Sequence, residues 1–582
     1  MYHSKSNVGG VYIKPLKRLI ATALGQEEPD RVLKNGRIFN VFTGEFMEGD
    51  IAIVEGYIAG IGKYRAKEEL DMKGFILTPG FIDAHMHIES SMVSPSEFAK
   101  AVVPIGTTTV IADPHEIANV LGGEGIQYML DATEDLPLNV YFMLPSCVPA
   151  TEFEHAGDQL LAADLATFLD HPRVLGLGEM MDYPGVITGK EEVLAKLALV
   201  QGKMIDGHAP GVTGKTLAAY IAAGIQSDHE CLTASEAMER LAQGMYIMLR
   251  EGSAAQNLRS LLAAVTAHTL PQCLLATDDR HPEDLIEFGH INYLIKLSIE
   301  AGLDLSWVLK MATINTARYF GLKELGAIAT GYRADILAFS DTTTWKPAVV
   351  IKDGKVVARE GACLSHNLVR KQQVVTNTIC LGPIKKEKLR IPAESTQARV
   401  IGLIPRQLVT TLLTLPVPSY KGEFLPDVKQ DIIKLAVWER HHGSGNVGVG
   451  LLQGFGLRQG AIASTVAHDS HNLIIAGTSD DDMMLALEEI QRLQGGLAIV
   501  DSGKVLGSLA LPLAGLMTEL PVEEVRERLL FLQLLAKKLG IRDGYDPFMT
   551  LAFLSLPVIP AAKLTDCGLV DVAQGKILPV SL

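Results

Sequence analysis

Eight short apolar runs, most with polar residues towards their C-terminal end, recur through the first half of the chain between helix-length stretches. They are FIDAHMHI from Phe81, TTTVIADP from Thr107, LNVYFMLP from Leu138, VLGLGEMM from Val174, KMIDGHAP from Lys203, IQSDHE from Ile225, YIMLREG from Tyr246 and QCLLATDD from Gln272. Apolar β-branched runs of this length that alternate with helices build a parallel sheet covered on both faces, and eight strand-helix units close a TIM-type barrel. The fold class expected is α/β, with a (β/α)8 barrel over residues 79–325. In such a barrel the reacting groups stand at the C-terminal ends of the strands, so the residues closing each run are those that carry chemistry.

Before the barrel, Arg31 to Gly62 alternates apolar and polar residues between turn signals at Asn35-Gly36, Thr43-Gly44, Glu48 to Asp50 and Glu55-Gly56, which predicts a short antiparallel sheet. The pattern returns in GAIATGYRADILAFSD, Gly326 to Asp341, and in PAVVIKDGKVVAREG, Pro347 to Gly361, where Asp353-Gly354 is a hairpin turn. The two segments are expected to form one split β-sandwich domain, residues 31–78 with 326–380, behind an N-terminal extension of residues 1–30. From Pro383 a basic stretch, Lys385 to Arg390, reads as a solvated linker face. IKLAVWERH, RQGAIAST and DDMMLALEEIQRLQGG then predict a separate C-terminal α/β domain over residues 381–582.

A chain of 582 residues exceeds what one hydrophobic core supports, in keeping with several domains. The formal charge of -15 argues against a nucleic-acid partner, because phosphate binding needs clustered Lys and Arg, and favours a small neutral or cationic substrate. The first residues lack the continuous apolar core of a signal peptide, and no apolar run reaches the roughly 18 residues a membrane span needs. A cytoplasmic protein is expected. The six cysteines (Cys147, Cys231, Cys273, Cys363, Cys380 and Cys567) include no CxxC pair and read as reduced thiols.

His85 and His87 are two apart on the first run, and a strand sends residues i and i+2 to one face. Neutral imidazole is a ligand for zinc, iron and manganese, and HxH places two such ligands on one rigid element. Glu179 closes the fourth run, His208 the fifth, His229 the sixth and Asp278 the eighth. Any one of these is equally an ordinary loop residue or a satisfied core histidine. Four histidines and two carboxylates converging on one barrel mouth have few structural explanations other than a bound metal, because so many desolvated ionisable groups need a compensating charge. Glu89 shares the face of His87 if the strand continues, which makes it a candidate for touching substrate or orienting a ligand, with a supporting salt bridge as the alternative. His115 and Glu116, after the second run, are similar candidates; His281 follows Asp278 closely, and an exposed loop position explains it just as well. His441, His442, His468 and His471 form another cluster, in which HDSHN beside TSDDD offers a second possible metal site.

The stretch PGFIDAHMHIESS, the strand-end acid, the two later histidines and the late Asp resemble the amidohydrolase superfamily of metal-dependent hydrolases. GFIDAHMHIESSM, ADPHEIANV, GLGEMMDYPGV, DGHAPG, SDHE and LATDDRHPEDL, with HDSHNLIIAGTSDDDM and DSGKVLGSLALPLAGLMT downstream, resemble the bacterial adenine deaminase family over nearly the whole chain. The resemblance implies hydrolysis of adenine to hypoxanthine and ammonia, as in purine salvage, at two divalent metals, Mn2+ or Fe2+, with Zn2+ also suited. His85, His87 and Asp278 would hold one metal, His208 and His229 the other, and Glu179 would bridge them in place of the carboxylated Lys of many superfamily members. Asp278 would move the proton of the attacking hydroxide to the departing ammonia, and a donor such as Glu89 would meet the charge developing at purine N1. It also implies a homo-oligomer, dimer or tetramer, whose C-terminal domain packs on the barrel over a neighbouring subunit's site, with no nucleic-acid or membrane partner. Another amidohydrolase acting on a cyclic amide or N-acyl group is the alternative, disfavoured by Glu179 and the C-terminal domain; a non-catalytic scaffold on this fold would lack the ligand set. The HxE and PCxxC signature of nucleic-acid deaminases is absent.

Overall fold

Every one of the eight apolar runs forms a barrel strand in the structure, a computed structural model that describes residues 13–364, 375–405, 407–542 and 545–582. The strands are Phe81–Met86 (β1), Thr107–Ala112 (β2), Asn139–Leu144 (β3), Val174–Met180 (β4), Met204–Gly207 (β5), Ser227–Asp228 (β6), Tyr246–Arg250 (β7) and Cys273–Ala276 (β8). β1 to β5 make one parallel sheet and β6 to β8 another. Single backbone contacts close the two seams: Gln226 N donates to Ile205 O at 2.9 Å, and Asp278 N donates to His85 O at 3.0 Å. Ile82, Ala84, Ile111, Tyr141, Met143, Met248, Leu274 and Ala276 form one buried cluster with Tyr319 and Phe320. These side chains come from strands of both parallel sheets, Phe81–Met86 to Asn139–Leu144 in one and Tyr246–Arg250 with Cys273–Ala276 in the other, so they fill the barrel interior as a packed core.

The split β domain is one continuous nine-stranded sheet that takes five strands from before the barrel and four from after it. It folds over a core of its own that includes Leu33, Ile38, Ile51, Leu77, Ile336 and Ile351. Two of the expected turns lie inside strands instead. Asn35-Gly36 is a bulge within Arg31–Asn40, with Asn35 at φ 61, because the left-handed conformation a turn would use here serves to insert an extra residue. Glu48 to Asp50 falls within the strand Glu45–Val54. Residues 1–12 of the N-terminal extension and 365–374 of the expected split domain lie outside the described residues.

The C-terminal part is built on an eight-stranded mixed sheet, with the helices Asp480–Leu493 and Val522–Lys538. The acids of TSDDD start the first of these helices, where Ser479 Oγ accepts from Asp482 N at 3.2 Å and Asp480 pairs with Lys434 at 2.7 Å. They therefore do not join the histidines of HDSHN. Among the described residues no helix is long and apolar enough to cross a membrane, and the six cysteines are free.

The helix Val522–Lys538 packs on the barrel helix Pro282–Glu287, where Gln533 Nε2 donates to Glu283 Oε1 at 2.7 Å and to Asp546 Oδ2 at 2.5 Å. Burial, then the neighbouring Asp546 carboxylate, pushes the Glu283 carboxyl up to about 8. A carboxyl raised in the folded state binds its proton there while the unfolded chain has already lost it. The contact is therefore at full strength below the ordinary value of 4.5 and weakens as pH rises towards about 8. Glu283→Gln keeps the hydrogen bond without the titration. Urea denaturation followed across that window should show the variant gaining about 1–3 kcal/mol over the parent at its alkaline end, and parallel curves would exclude this account.

Candidate metal centre

The six residues that close the barrel runs meet at its C-terminal mouth. β1 bulges between Asp83 and Met86, and the buried Asp83 carboxylate accepts from His85 N at 3.2 Å, Thr277 N at 3.1 Å and Thr277 Oγ1 at 2.6 Å. One side chain thus ties the first strand to the last beneath the site. Asp278 follows β8 at φ 58, a left-handed conformation that Asp tolerates better than most residues.

Glu179 divides the imidazoles into two sets. Its Oε1 lies 3.7 Å from His85 Nε2, 3.4 Å from His87 Nε2 and 3.5 Å from His115 Nδ1. Its Oε2 lies 2.7 Å from His208 Nδ1 and 3.2 Å from His229 Nε2. Asp278 Oδ1 lies 3.1 Å from His87 Nε2 and 3.8 Å from His85 Nε2. Burial opposes the charged form of both acids. Hydrogen bonds from His208 and His229 outweigh it at Glu179, and the Arg250 guanidinium with His87 outweighs it at Asp278, so both carboxyls sit well below their usual range. Burial, with the stacked ring of His229 at 4.3 Å between centroids, lowers His85. His208 moves up to about 9, because Glu230 and Glu179 outweigh its burial.

These groups fit a metal pair by their hydrogen bonding. His87 Nδ1 donates to the Asp113 carbonyl at 3.0 Å, which leaves Nε2 a lone pair facing two carboxylate oxygens. His85 Nε2 is buried without a hydrogen-bond partner. Lone pairs of nitrogen and oxygen aimed at one space repel unless a cation or proton lies between them, and neutral imidazole with carboxylate is a ligand set for Mn2+, Fe2+ and Zn2+ alike.

Around this centre the structure adds residues that the strand-end reading missed. Arg250, the last residue of β7, reaches Asp278 Oδ2 at 2.7 Å and Glu230 Oε2 at 3.1 Å. Its signal was present in the run YIMLREG, whose terminal Arg sits at the same depth as the acids. Glu89 departs from the expected geometry: the strand stops at Met86 and a 3-10 turn covers Ile88–Ser91. Glu89 Oε1 accepts from Ile117 N at 3.2 Å, in the first turn of the helix His115–Ala132, and Oε2 stays buried and unpartnered. Burial and the nearby Glu116 raise its carboxyl to about 7. His281 precedes the helix Pro282–Glu287 and does not join the cluster.

The C-terminal loop enters the mouth of its own barrel. His468 Nδ1 lies 2.7 Å from Glu116 Oε1, and His471 Nε2 bonds Glu116 Oε2. Ala467 N donates to His471 Nδ1 at 3.1 Å, so the ring proton is on Nε2 and His471 is a donor to the carboxylate. Glu116 is therefore clasped by two imidazoles, beside His115 at 3.5 Å, while Asp469 Oδ1 lies 3.9 Å from His115 Nε2. The other two histidines bond backbone carbonyls, His441 that of Ser470 and His442 that of Ala156. The loop covers the site from within the same chain. A cavity of about 740 Å³ opens beside it, lined by Ser146, Met181, Lys196, Pro557 and Val572 among others; Ser146 Oγ donates to the Glu179 carbonyl at 2.5 Å.

An eight-stranded barrel with paired imidazole sets around a shared carboxylate defines a metal-dependent hydrolase of the amidohydrolase type, and residues 76–357 match the amidohydrolase family. Residues 407–576 match the adenine deaminase C-terminal domain. The chain is 59% identical to adenine deaminase 2 of Carboxydothermus hydrogenoformans over 98% of this chain and 100% of that protein. It is 48% identical to the adenine deaminase of Desulfatibacillum aliphaticivorans over 95% of this chain and 98% of that protein. The chain belongs to the adenine deaminase family.

Proposed function

We propose that this protein hydrolyses adenine to hypoxanthine and ammonia at a binuclear metal centre. The observation that carries the reading is the division of labour at Glu179, with one oxygen facing His85 and His87 and the other facing His208 and His229. His85, His87 and Asp278 would hold one divalent cation and His208 and His229 the other, with Glu179 shared and Mn2+ or Fe2+ as the preferred ions. A metal pair of this kind supplies the Lewis acidity that makes water a nucleophile at neutral pH. Asp278 takes the proton of the attacking water and returns it to the leaving amino group, while Arg250 holds its second oxygen and keeps the carboxylate aimed. His115, kept protonated by the neighbouring Glu116 carboxylate that His468 and His471 clasp, meets the negative charge that develops at purine N1. Glu89 acts by holding the helix that carries His115 and Glu116.

Action in the cytoplasm is part of this reading, and the formal charge of -15 disfavours a nucleic-acid partner. The exposed apolar side chains Leu530, Phe531 and Leu534 on one helix support a homo-oligomer. The separate core under the split sheet supports a domain of 31–78 with the strands from Ile336 to Cys363 beside the barrel, while residues 375–380 go with the C-terminal part, where Cys380 N donates to Arg440 O and Ala514 N to Val375 O.

Ammonia release from adenine by protein loaded with Mn2+ or Fe2+ tests the reading, with a chelated sample and an adenosine control. Metal-dependent release from adenine alone is expected; release from a cyclic amide and none from adenine would overturn it. Glu179→Gln should bind fewer than two metals per chain by elemental analysis, and unchanged two-metal stoichiometry would argue against a bridging role.

A further inference from the structure

Outside the barrel centre, the loop after β3 meets the C-terminal hairpin of Ala562–Thr565 and Gly568–Asp571 in a trio of unlike side chains. His155 Nδ1 lies 2.6 Å from Asp566 Oδ2 and 3.5 Å from Cys567 Sγ, and the sulfur lies 3.9 Å from the same carboxylate oxygen. We propose that His155, Asp566 and Cys567 form a further metal site, for a zinc-like divalent cation, that pins the barrel loop to the C-terminal domain.

Geometry is the first support. Ligands held at about 2.0–2.3 Å from zinc stand roughly 3.3–3.7 Å apart in a tetrahedron. The two separations that involve sulfur, 3.5 and 3.9 Å, are close to that range. The nitrogen-oxygen pair must open by about 0.7 Å, and the half-exposed side chain of His155 has room to do so. The ligands are also oriented from behind. Asp566 Oδ1 accepts from His155 N at 3.0 Å and from Asn472 Nδ2 at 3.4 Å, which leaves Oδ2 for the trio, and Cys567 N donates to Thr565 Oγ1 at 3.2 Å.

Charge is an independent support. Glu154, next to His155 and 5% exposed, has a buried Oε2 with no hydrogen-bond partner. A divalent ion bound by the trio would release the thiol proton and place a positive charge beside the buried Asp566 carboxylate. Thiolate with imidazole selects zinc over manganese or magnesium, and a water completes the coordination on the exposed side.

Cobalt reports on the site because the barrel ligands include no sulfur. The full-length protein, with its barrel filled with Mn2+, is titrated with Co2+ and followed in the near ultraviolet. A sulfur-to-cobalt charge-transfer band should saturate at one equivalent, disappear in Cys567→Ser, weaken in His155→Gln and be displaced by Zn2+. No band in the parent protein, or an undiminished band in Cys567→Ser, would overturn the proposal. Thiol alkylation read by mass spectrometry gives a second measure that needs no variant: Zn2+ should protect Cys567, and equal labelling with and without Zn2+ would also overturn it.

Discussion

Asp278→Asn should lower turnover of adenine by about 100-fold to 10,000-fold, the range for loss of a positioned proton carrier, while much of the metal stays bound. The substitution separates chemistry from structure unusually well. Asn tolerates the left-handed backbone at φ 58 as readily as Asp, so the chain after β8 is not forced to rearrange. The amide oxygen still faces His87 and His85, but the group no longer ionises and cannot carry a proton from water to the leaving amine. Arg250 loses one charged partner and keeps the other, Glu230 at 3.1 Å. Steady-state kinetics beside elemental analysis decide the matter: near-normal turnover with two metals bound would remove Asp278 from the proton path.

Glu116→Gln should cost about 100-fold or more in kcat with KM for adenine little changed. The amide keeps a hydrogen-bonding group in place but removes the negative charge that holds the neighbouring His115 protonated for the purine ring. His471→Phe, acting only through Glu116, should produce a smaller loss of about 10-fold, again without loss of metal. A drop in metal content in either variant, or a KM effect without a kcat effect, would point instead to a structural role for this carboxyl. The comparison also tests whether the C-terminal loop contributes to chemistry, because His471 lies outside the barrel in the sequence and inside its mouth in the structure.

Much of this site is legible in the sequence because barrel strands are local objects. A run such as VLGLGEMM specifies both a strand and the residue at its end, and eight such runs order six polar residues around one mouth before any contact is known. What stays hidden depends on geometry that periodicity does not encode. Glu89 shares the face of His87 only while the strand continues, and a 3-10 turn beginning at Ile88 redirects it to a helix terminus. Asn35-Gly36 carries the residues of a turn, yet pairing with the next strand on both sides of it makes a bulge. The contact between His471 and Glu116 spans 355 residues, so no local pattern distinguishes it from a separate histidine cluster.

That separation bears on how the protein is made. The barrel and its strand-end ligands leave the ribosome well before Ala467 to Asn472 has been synthesised, and domains fold in that order. Until the last third of the chain docks, Glu116 lacks the two imidazoles that clasp it, and a nascent barrel that already binds metal has an open, unfinished mouth. On the proposed mechanism, catalytic competence would be tied to completion of translation, and a truncated chain ending after the barrel would keep the proposed metal ligands without the full apparatus for deamination.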